Sequence, residues 1–150
     1  MIVSAKHTDT KMLTEIALNS KAFWGYEAAI IESWRTDLTV TKAMISECEV
    51  HKFKYNEDVA GFYILNPPTE KTIELEMLFV LPEFIGKGIG KRLLDHSIQK
   101  ARELNISFMT LLADPNAVPF YASQGFETVA KKESSISGRF LPIMQKDLKK

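Results

Sequence analysis

Apolar and polar residues follow two periods along this chain, and the switches between them outline its elements. Residues 1–5 alternate weakly and predict a short opening strand. Over residues 8–19, Met12, Leu13, Ile16 and Ala17 recur at the three- and four-residue spacing of one helical face. Thr8 or Asp9 is placed to cap that helix, and Asn19-Ser20 to end it. A second helical pattern covers residues 24–35, with Ile30, Ile31 and Trp34 on one face. Residues 48–55 alternate as a strand does, with Val50, Phe53 and Tyr55 separated by polar positions. Asn56-Glu57-Asp58 reads as a turn, and residues 59–65 are a nearly continuous apolar run, the mark of a strand covered on both faces. The two strands predict a hairpin.

Asn66-Pro67-Pro68 breaks the chain before a long strand at 72–81, which sets Glu74, Glu76, Leu78 and Val80 on one face. Pro82 ends that strand, and a glycine-rich turn leads into a helix at 88–104. Its stripe is Ile89, Leu93, Leu94, Ile98 and Ala101, with charges opposite. Residues 108–113 read as another buried strand. Asn116 is a good N-cap for a short helix, Pro119 falls in that helix's first turn, and Gly125 sits where a left-handed C-terminal residue belongs. Residues 126–132 and 140–148 predict two closing strands around a Ser/Gly-rich loop. The order is β-α-α-β-β-β-α-β-α-β-β. Its hairpin implies antiparallel pairing, and the strand-helix-strand stretch over 72–113 implies a parallel pair. An α/β fold with a mixed sheet and helices on its faces follows.

Composition narrows the function. A length of 150 residues with no repeat or linker points to one domain over 1–150. The formal net charge of +0 offers no field to draw nucleic acid or an anionic membrane, so neither is expected as a partner. Lys146, Lys149 and Lys150 read as a solvated basic tail. No stretch approaches the roughly 18 apolar residues of a membrane helix, and residues 1–10 lack the apolar run of a secretory signal. With a single cysteine, Cys48, no intrachain disulfide is possible; a cytoplasmic location is expected. Cys48 itself reads as a small packed residue. His7, His51 and His96 show no metal-ligand spacing, so no metal is expected; His51 is a minor candidate for a substrate-side base.

The sharpest chemical signal is Ile85-Gly86-Lys87-Gly88-Ile89-Gly90-Lys91, lying between a strand and an amphipathic helix. Alternate glycines let a backbone approach a ligand without Cβ obstruction. The helix that follows offers unpaired N–H groups and the positive end of its dipole, a combination that binds phosphate. Lys87 or Lys91 adds charge. The spacing is not that of the P-loop, and Lys91 stands at the third glycine position of the dinucleotide and kinase glycine patterns.

The run from Phe79 to Leu94 resembles the pyrophosphate-binding motif of the GNAT acetyltransferases, Val-x-Pro-x-x-Arg-Gly-x-Gly-x-Gly. The later run Asp114-Pro115-Asn116-Ala117-Val118-Pro119-Phe120-Tyr121-Ala122-Ser123-Gln124-Gly125-Phe126 resembles the family's second motif, Asn-x-x-Ala-x-x-Phe-Tyr-x-x-x-Gly-Phe. One departure stands out: Ile85 lies where the family usually has Arg or Gln. The resemblance implies a GNAT fold, mostly antiparallel with a central parallel strand pair and helices on both faces, and acetyl-CoA as co-substrate. It implies that backbone groups of Leu78, Phe79 and Val80 hold the pantetheine and polarise the thioester. By the same resemblance, Ile85, Gly86, Lys87, Gly88, Ile89, Gly90 and Lys91 hold the pyrophosphate. Asn116 bonds the pantetheine arm or helps place the sulfur, and Tyr121 donates a proton to the departing thiolate, a task that suits a phenol.

A base is also needed, since an ammonium cannot attack a thioester. The family often places it on the fourth strand, where Glu74 fits one alignment and Glu76 another. A carboxylate buried on an apolar strand face would have a raised pKa suited to that role. Phe23, Trp24 and Tyr26, near Trp34, are the candidate acceptor walls, fitting an amine with an apolar body or a cation over a ring. The loop over 134–140 is a candidate lid, in which Arg139 recognises a carboxylate or faces water. The expectation is an N-acetyltransferase acting on a primary amine, a small molecule before a protein, and homodimers are frequent in the family. The second reading is a non-catalytic acyl-CoA-binding module, which Ile85 permits. A third, an unrelated phosphate-ligand enzyme, requires the second motif to be coincidence.

Overall fold

A computed structural model describes residues 1–134 and 139–149. Its contacts divide the chain into two compact units, Met1–Leu65 with Met77–Ser97 and Asn66–Glu76 with Ile98–Lys150.

In the first unit the opening strand β1 (Ile2–Ser4) pairs antiparallel with β2 (Glu49–Tyr55), Ile2 opposite Phe53 and Ser4 opposite His51. β2 pairs antiparallel with β3 (Asp58–Leu65), closing the predicted hairpin through Asn56, whose φ of 58° is one that asparagine tolerates well. Between the first two strands run α1 (Thr10–Ala22), α2 (Ala28–Ser33), α3 (Arg35–Leu38) and α4 (Lys42–Glu47). The predicted stripe of α1 is its buried face, and Leu13, Ile16, Ala17 and Leu18 pack with Leu38, Val40, Val50, Phe62, Ile64 and Met77. Thr14 ties α1 to the segment after α3, accepting from the Val40 N–H at 2.9 Å.

Five local expectations change here. α1 runs past Asn19-Ser20, because the Ser20 hydroxyl donates to the Val80 carbonyl instead of competing for its own helix; it stops at Ala22, and Gly25, with φ +84°, ends the turn that follows. The single helix expected over 24–35 is two short ones, since Trp34 (φ −92°, ψ −2°) interrupts the path. α4 was not foreseen: six residues carry too little periodicity, and its start rests on Thr41, whose hydroxyl accepts from the Met44 N–H. Asp9 stands at the N-cap of α1 but bonds the Lys6 N–H and the Lys52 ammonium, each at 2.8 Å. β2 also buries His51 and Lys52 between Val50 and Phe53, so its middle does not alternate.

β4 (Thr72–Val80) contributes to both units, its last residues Met77–Val80 to the first. Its exit is fastened by the Leu81 N–H donating to the Ala60 carbonyl at 2.8 Å. Gly61 of β3 is required by crowding: a Cβ there would lie 2.5 Å from the Phe79 carbonyl oxygen.

In the second unit the start of β4 runs parallel to β5 (Phe108–Leu112), over the three pairs from Thr72↔Phe108 to Glu74↔Thr110. β5 pairs antiparallel with β7 (Phe140–Asp147), which pairs antiparallel with β6 (Glu127–Glu133). The order is thus β1-β2-β3-β4 in the first unit and β4-β5-β7-β6 in the second. Among the described residues, seven strands, mostly antiparallel with one parallel pair, β4–β5, agree with the expected mixed sheet. Helix α5 (Ile89–Glu103) joins β4 to β5, and α6 (Val118–Ser123) precedes β6. Gly125 has φ +91°, as its place after α6 required. Asn116 does not cap that helix. It lies inside a 3-10 turn, Pro115–Ala117, whose cap is Asp114. Lys146 is not part of a tail: it lies in β7, and its ammonium donates to the Gln124 carbonyl at 2.6 Å, just past the last turn of α6.

Candidate functional site

The glycine turn belongs to the first unit. After Val80 the chain makes a 3-10 turn, Pro82–Phe84, passes through extended Ile85, and enters α5. Gly86 and Gly88 have φ of +90° and +75°. A Cβ added at either would meet nothing within 4 Å, so backbone conformation, not crowding, demands glycine. Gly90 lies within the first turn of α5, so two of the three glycines shape the loop. The Gly88 carbonyl accepts the Arg92 N–H at 3.1 Å, the first bond of the helical ladder. The amides of Ile89, Gly90 and Lys91 therefore lack intrahelical acceptors at the positive end of a 15-residue helix. Main-chain donors, positive φ and a helix dipole together make a phosphate-binding arrangement.

The cations around the turn differ in their engagements. Lys91 is paired with Asp95 at 2.8 Å. The Lys87 ammonium lies 5.4 Å over the Tyr55 ring, and the Arg92 guanidinium 4.8 Å over the Phe53 ring. Of the two lysines proposed from sequence, Lys87 meets no carboxylate within 4.0 Å among the described residues. Arg92, inside the run from Phe79 to Leu94 but given no role from sequence, is exposed. Ile85 is 51% exposed and presents no polar side-chain group. Leu78, Phe79 and Val80, half-buried at the end of β4, lie beyond the three-pair ladder with β5.

The acid-base candidates belong to the second unit. Tyr121 is buried among Phe120 and Phe126, with ring centroids at 5.2 and 5.6 Å. Its carbonyl accepts from the Gln124 and Phe126 N–H groups, pinning the end of α6. Burial pushes the phenol's pKa well above its ordinary 10. Asn116 is exposed; its backbone N–H and its amide both donate to Asp114, at 2.9 and 3.0 Å. Asp114 also meets Arg139 at 3.8 Å, so the arginine expected to recognise a substrate carboxylate or face water engages a carboxylate of its own chain. Residues 135–138 of the expected lid lie outside the described residues.

Glu74 and Glu76 share one face of β4, as predicted, but it is the outer one: Ile73, Leu75 and Met77 are buried and both glutamates are exposed. The burial expected of a carboxylate on this strand is absent. They share the amide of Asn66, which donates at 2.9 and 3.1 Å.

Phe23 and Trp24, expected as acceptor walls, are 52% and 46% exposed and meet edge to face at 5.2 Å. Tyr26 packs edge to face on Trp34, which itself lies against the core and under the Lys21 ammonium. His51 is buried, bonded to Glu49 at 2.9 Å and stacked on Tyr63, and the Tyr63 hydroxyl bonds His96 Nδ1 at 2.7 Å. These engagements give His51 a packing role. Among the described residues no three His, Cys, Asp or Glu side chains converge to hold a metal ion, and no helix is long and apolar enough to cross a membrane.

Residues 12–148 match the family model described as an acetyltransferase (GNAT) domain. The uncharacterized N-acetyltransferase ycf52 of Pyropia yezoensis is 30% identical over 91 residues, 61% of this chain and 51% of that protein. The chain spans about half the length of the curated relatives it matches. Among solved structures, the PaiA N-acetyltransferase of Thermoplasma acidophilum, in complex with coenzyme A, aligns with a TM-score of 0.80 at 22% identity, over 98% of each chain. A GCN5-related N-acetyltransferase of Rhodopseudomonas palustris aligns with a TM-score of 0.81 at 21% identity, over 98% of this chain and 94% of that one. At these identities the structural likenesses show the fold.

Proposed function

Because this chain belongs to the GNAT acetyltransferase family, whose co-substrate is acetyl-CoA, we propose that residues 1–150 act as one N-acetyltransferase domain that acetylates a primary amine by direct attack. The observation that carries the reading is the turn at Gly86 and Gly88: two positive φ angles feeding the start of α5. Its main-chain donors fit a pyrophosphate, and a structural neighbour with the same fold was solved with coenzyme A. The residues present therefore suit the donor, with Ile85 contributing backbone alone.

Bound there, acetyl-CoA supplies the activated thioester. Gly86, Lys87, Gly88, Ile89, Gly90 and Lys91 hold its pyrophosphate. Backbone groups of Leu78, Phe79 and Val80, outside the β4–β5 ladder, orient the pantetheine and stabilise negative charge on the thioester oxygen. Asn116 helps to hold the pantetheine arm or to place the sulfur. Glu74 or Glu76, exposed to water, takes the proton of the incoming ammonium through a water molecule. Tyr121 returns a proton to the departing sulfur; its raised pKa keeps it protonated for that step. Phe23, Trp24 and Tyr26 favour a small amine with an apolar body, the exposed Phe23 and Trp24 rings also suiting a cation. The single cysteine suits the cytoplasm as the compartment.

Calorimetric titration with acetyl-CoA, with CoA and ATP as controls, tests the donor, and an amine screen follows. Saturable acetyl-CoA binding without ATP binding supports the reading, and no binding of either CoA species overturns it. Aliphatic Ile85 favours one second reading, a non-catalytic acyl-CoA-binding module, which predicts binding without turnover on any amine.

A further inference from the structure

Of the side chains around the glycine turn, Ile85 offers no polar group and the Lys91 ammonium is committed to Asp95. Lys87 and Arg92 remain, and among the described residues neither meets a carboxylate within 4.0 Å. Both are held by a strand that belongs to no donor motif. The Arg92 guanidinium rests 4.8 Å over Phe53, and the Lys87 ammonium 5.4 Å over Tyr55. The two rings stand two residues apart on β2, across the register shift between Phe53 and Lys54, and each meets a cation of the turn or of the first turn of α5. Phe53 is buried and paired with Gly61, and Tyr55 is braced by Phe84 of the turn itself, at 5.4 Å.

A ring face attracts a cation without neutralising it, and a guanidinium lying on a ring keeps the N–H groups of its edge for an anion. A carboxylate partner, as Lys91 has, would cancel the charge instead. Prior ordering also lowers the entropy lost when a long side chain grips its ligand.

We propose that Phe53 and Tyr55 are positioning residues that preset Arg92 and Lys87 as the side-chain contacts to the phosphate groups of the acyl-CoA donor. The inference rests on the donor-binding reading above. It extends the donor site to β2 and explains how side-chain phosphate contacts persist beside Ile85.

The test is the dissociation constant of acetyl-CoA, measured by calorimetry at two ionic strengths for the wild type, Arg92→Gln, Tyr55→Leu and Tyr55→Phe. Loss of one charged contact in Arg92→Gln weakens binding about tenfold and flattens its salt dependence. Tyr55→Leu weakens it about threefold, and Tyr55→Phe restores the loss because a ring face is retained. A merely structural role for Tyr55 would not give that split at equal thermal stability. Titration with 3′-dephospho-CoA then says which phosphate Arg92 meets: a loss kept in full assigns the pyrophosphate, and a loss abolished assigns the 3′-phosphate. Wild-type affinity in Arg92→Gln overturns the proposal while leaving the donor reading intact, as does equal behaviour of Tyr55→Leu and Tyr55→Phe. Absence of acetyl-CoA binding by the wild type overturns the donor reading itself. Should Tyr55→Leu fail to fold, Arg92→Gln, on an exposed residue, still decides.

Discussion

Replacing Gly61 by alanine tests how tightly β4, the strand that carries the proposed donor-binding residues, is packed. The added methyl would stand 2.5 Å from the Phe79 carbonyl oxygen, 3.1 Å from the Val80 Cα and 3.2 Å from the Leu93 Cδ1. Ordinary contact begins at 3.4 Å, so the shortfall at the carbonyl is 3.4 − 2.5, or 0.9 Å. The nearest atoms are backbone, which cannot rotate aside as a side-chain tip does. Overpacking of this kind costs about 1–3 kcal/mol. Against it, alanine restricts the unfolded chain and contributes about 0.4–1 kcal/mol of stability. A 0.9 Å shortfall against backbone belongs in the upper part of that range, so the net is a loss of about 1–2.5 kcal/mol, or a fall in Tm of about 3–8 °C for a chain of this size. Because the displaced atoms are Phe79 and Val80, acetyl-CoA affinity should fall with it. Thermal unfolding followed by circular dichroism, with calorimetry of acetyl-CoA, measures both. A Tm equal to or above that of the wild type would refute the reasoning.

Other perturbations probe separate parts of the molecule. Gly88→Val puts a β-branched residue at φ +75°, at a cost of at least about 1–2 kcal/mol, and should abolish acetyl-CoA binding; retained tight binding would mean the turn has another task. Tyr121→Phe should lower kcat with little change in acetyl-CoA affinity, and an unchanged kcat would remove Tyr121 from the mechanism. Since burial raises the Tyr121 pKa, ionisation of that phenol should give kcat no falling limb below about pH 10, whereas a limb that disappears in Tyr121→Phe would contradict this. Burial alone would raise the pKa of Asp9, but its bonds from Lys52 and the Lys6 N–H outweigh that and hold it below 3.8. Its contribution is therefore present above the ordinary carboxyl value and lost as pH falls below it. Asp9→Asn should lower stability at neutral pH yet flatten the acid loss below about pH 4, and urea unfolding at pH 7 and pH 3 checks the sign.

Local signals carried much of the fold. The α1 stripe, the hairpin through Asn56, the turn between β4 and α5 and the left-handed Gly125 were legible because each rests on neighbours in sequence: periodicity, a turn residue or a glycine. The parallel β4–β5 pair followed from connection rules alone. Two family motifs were likewise visible as linear patterns. Period two could not say which side of β4 is core, and the choice fell with Ile73, Leu75 and Met77. Nor could it tell that Lys146 caps the end of α6, that Asp114 engages both Asn116 and Arg139, or that Phe53 and Tyr55 support cations 39 and 32 residues further on. Gly61 gave no signal either, since its necessity is set by a carbonyl 18 residues further on.

By itself, then, the sequence determined the order and kind of the longer elements and the position of the glycine turn before α5, because backbone φ/ψ preference and side-chain period are properties of a few adjacent residues. The tertiary structure alone decided which faces are buried, which charges are paired and which remain available to a ligand. Those outcomes depend on through-space distances of a few ångströms between segments that the sequence holds far apart.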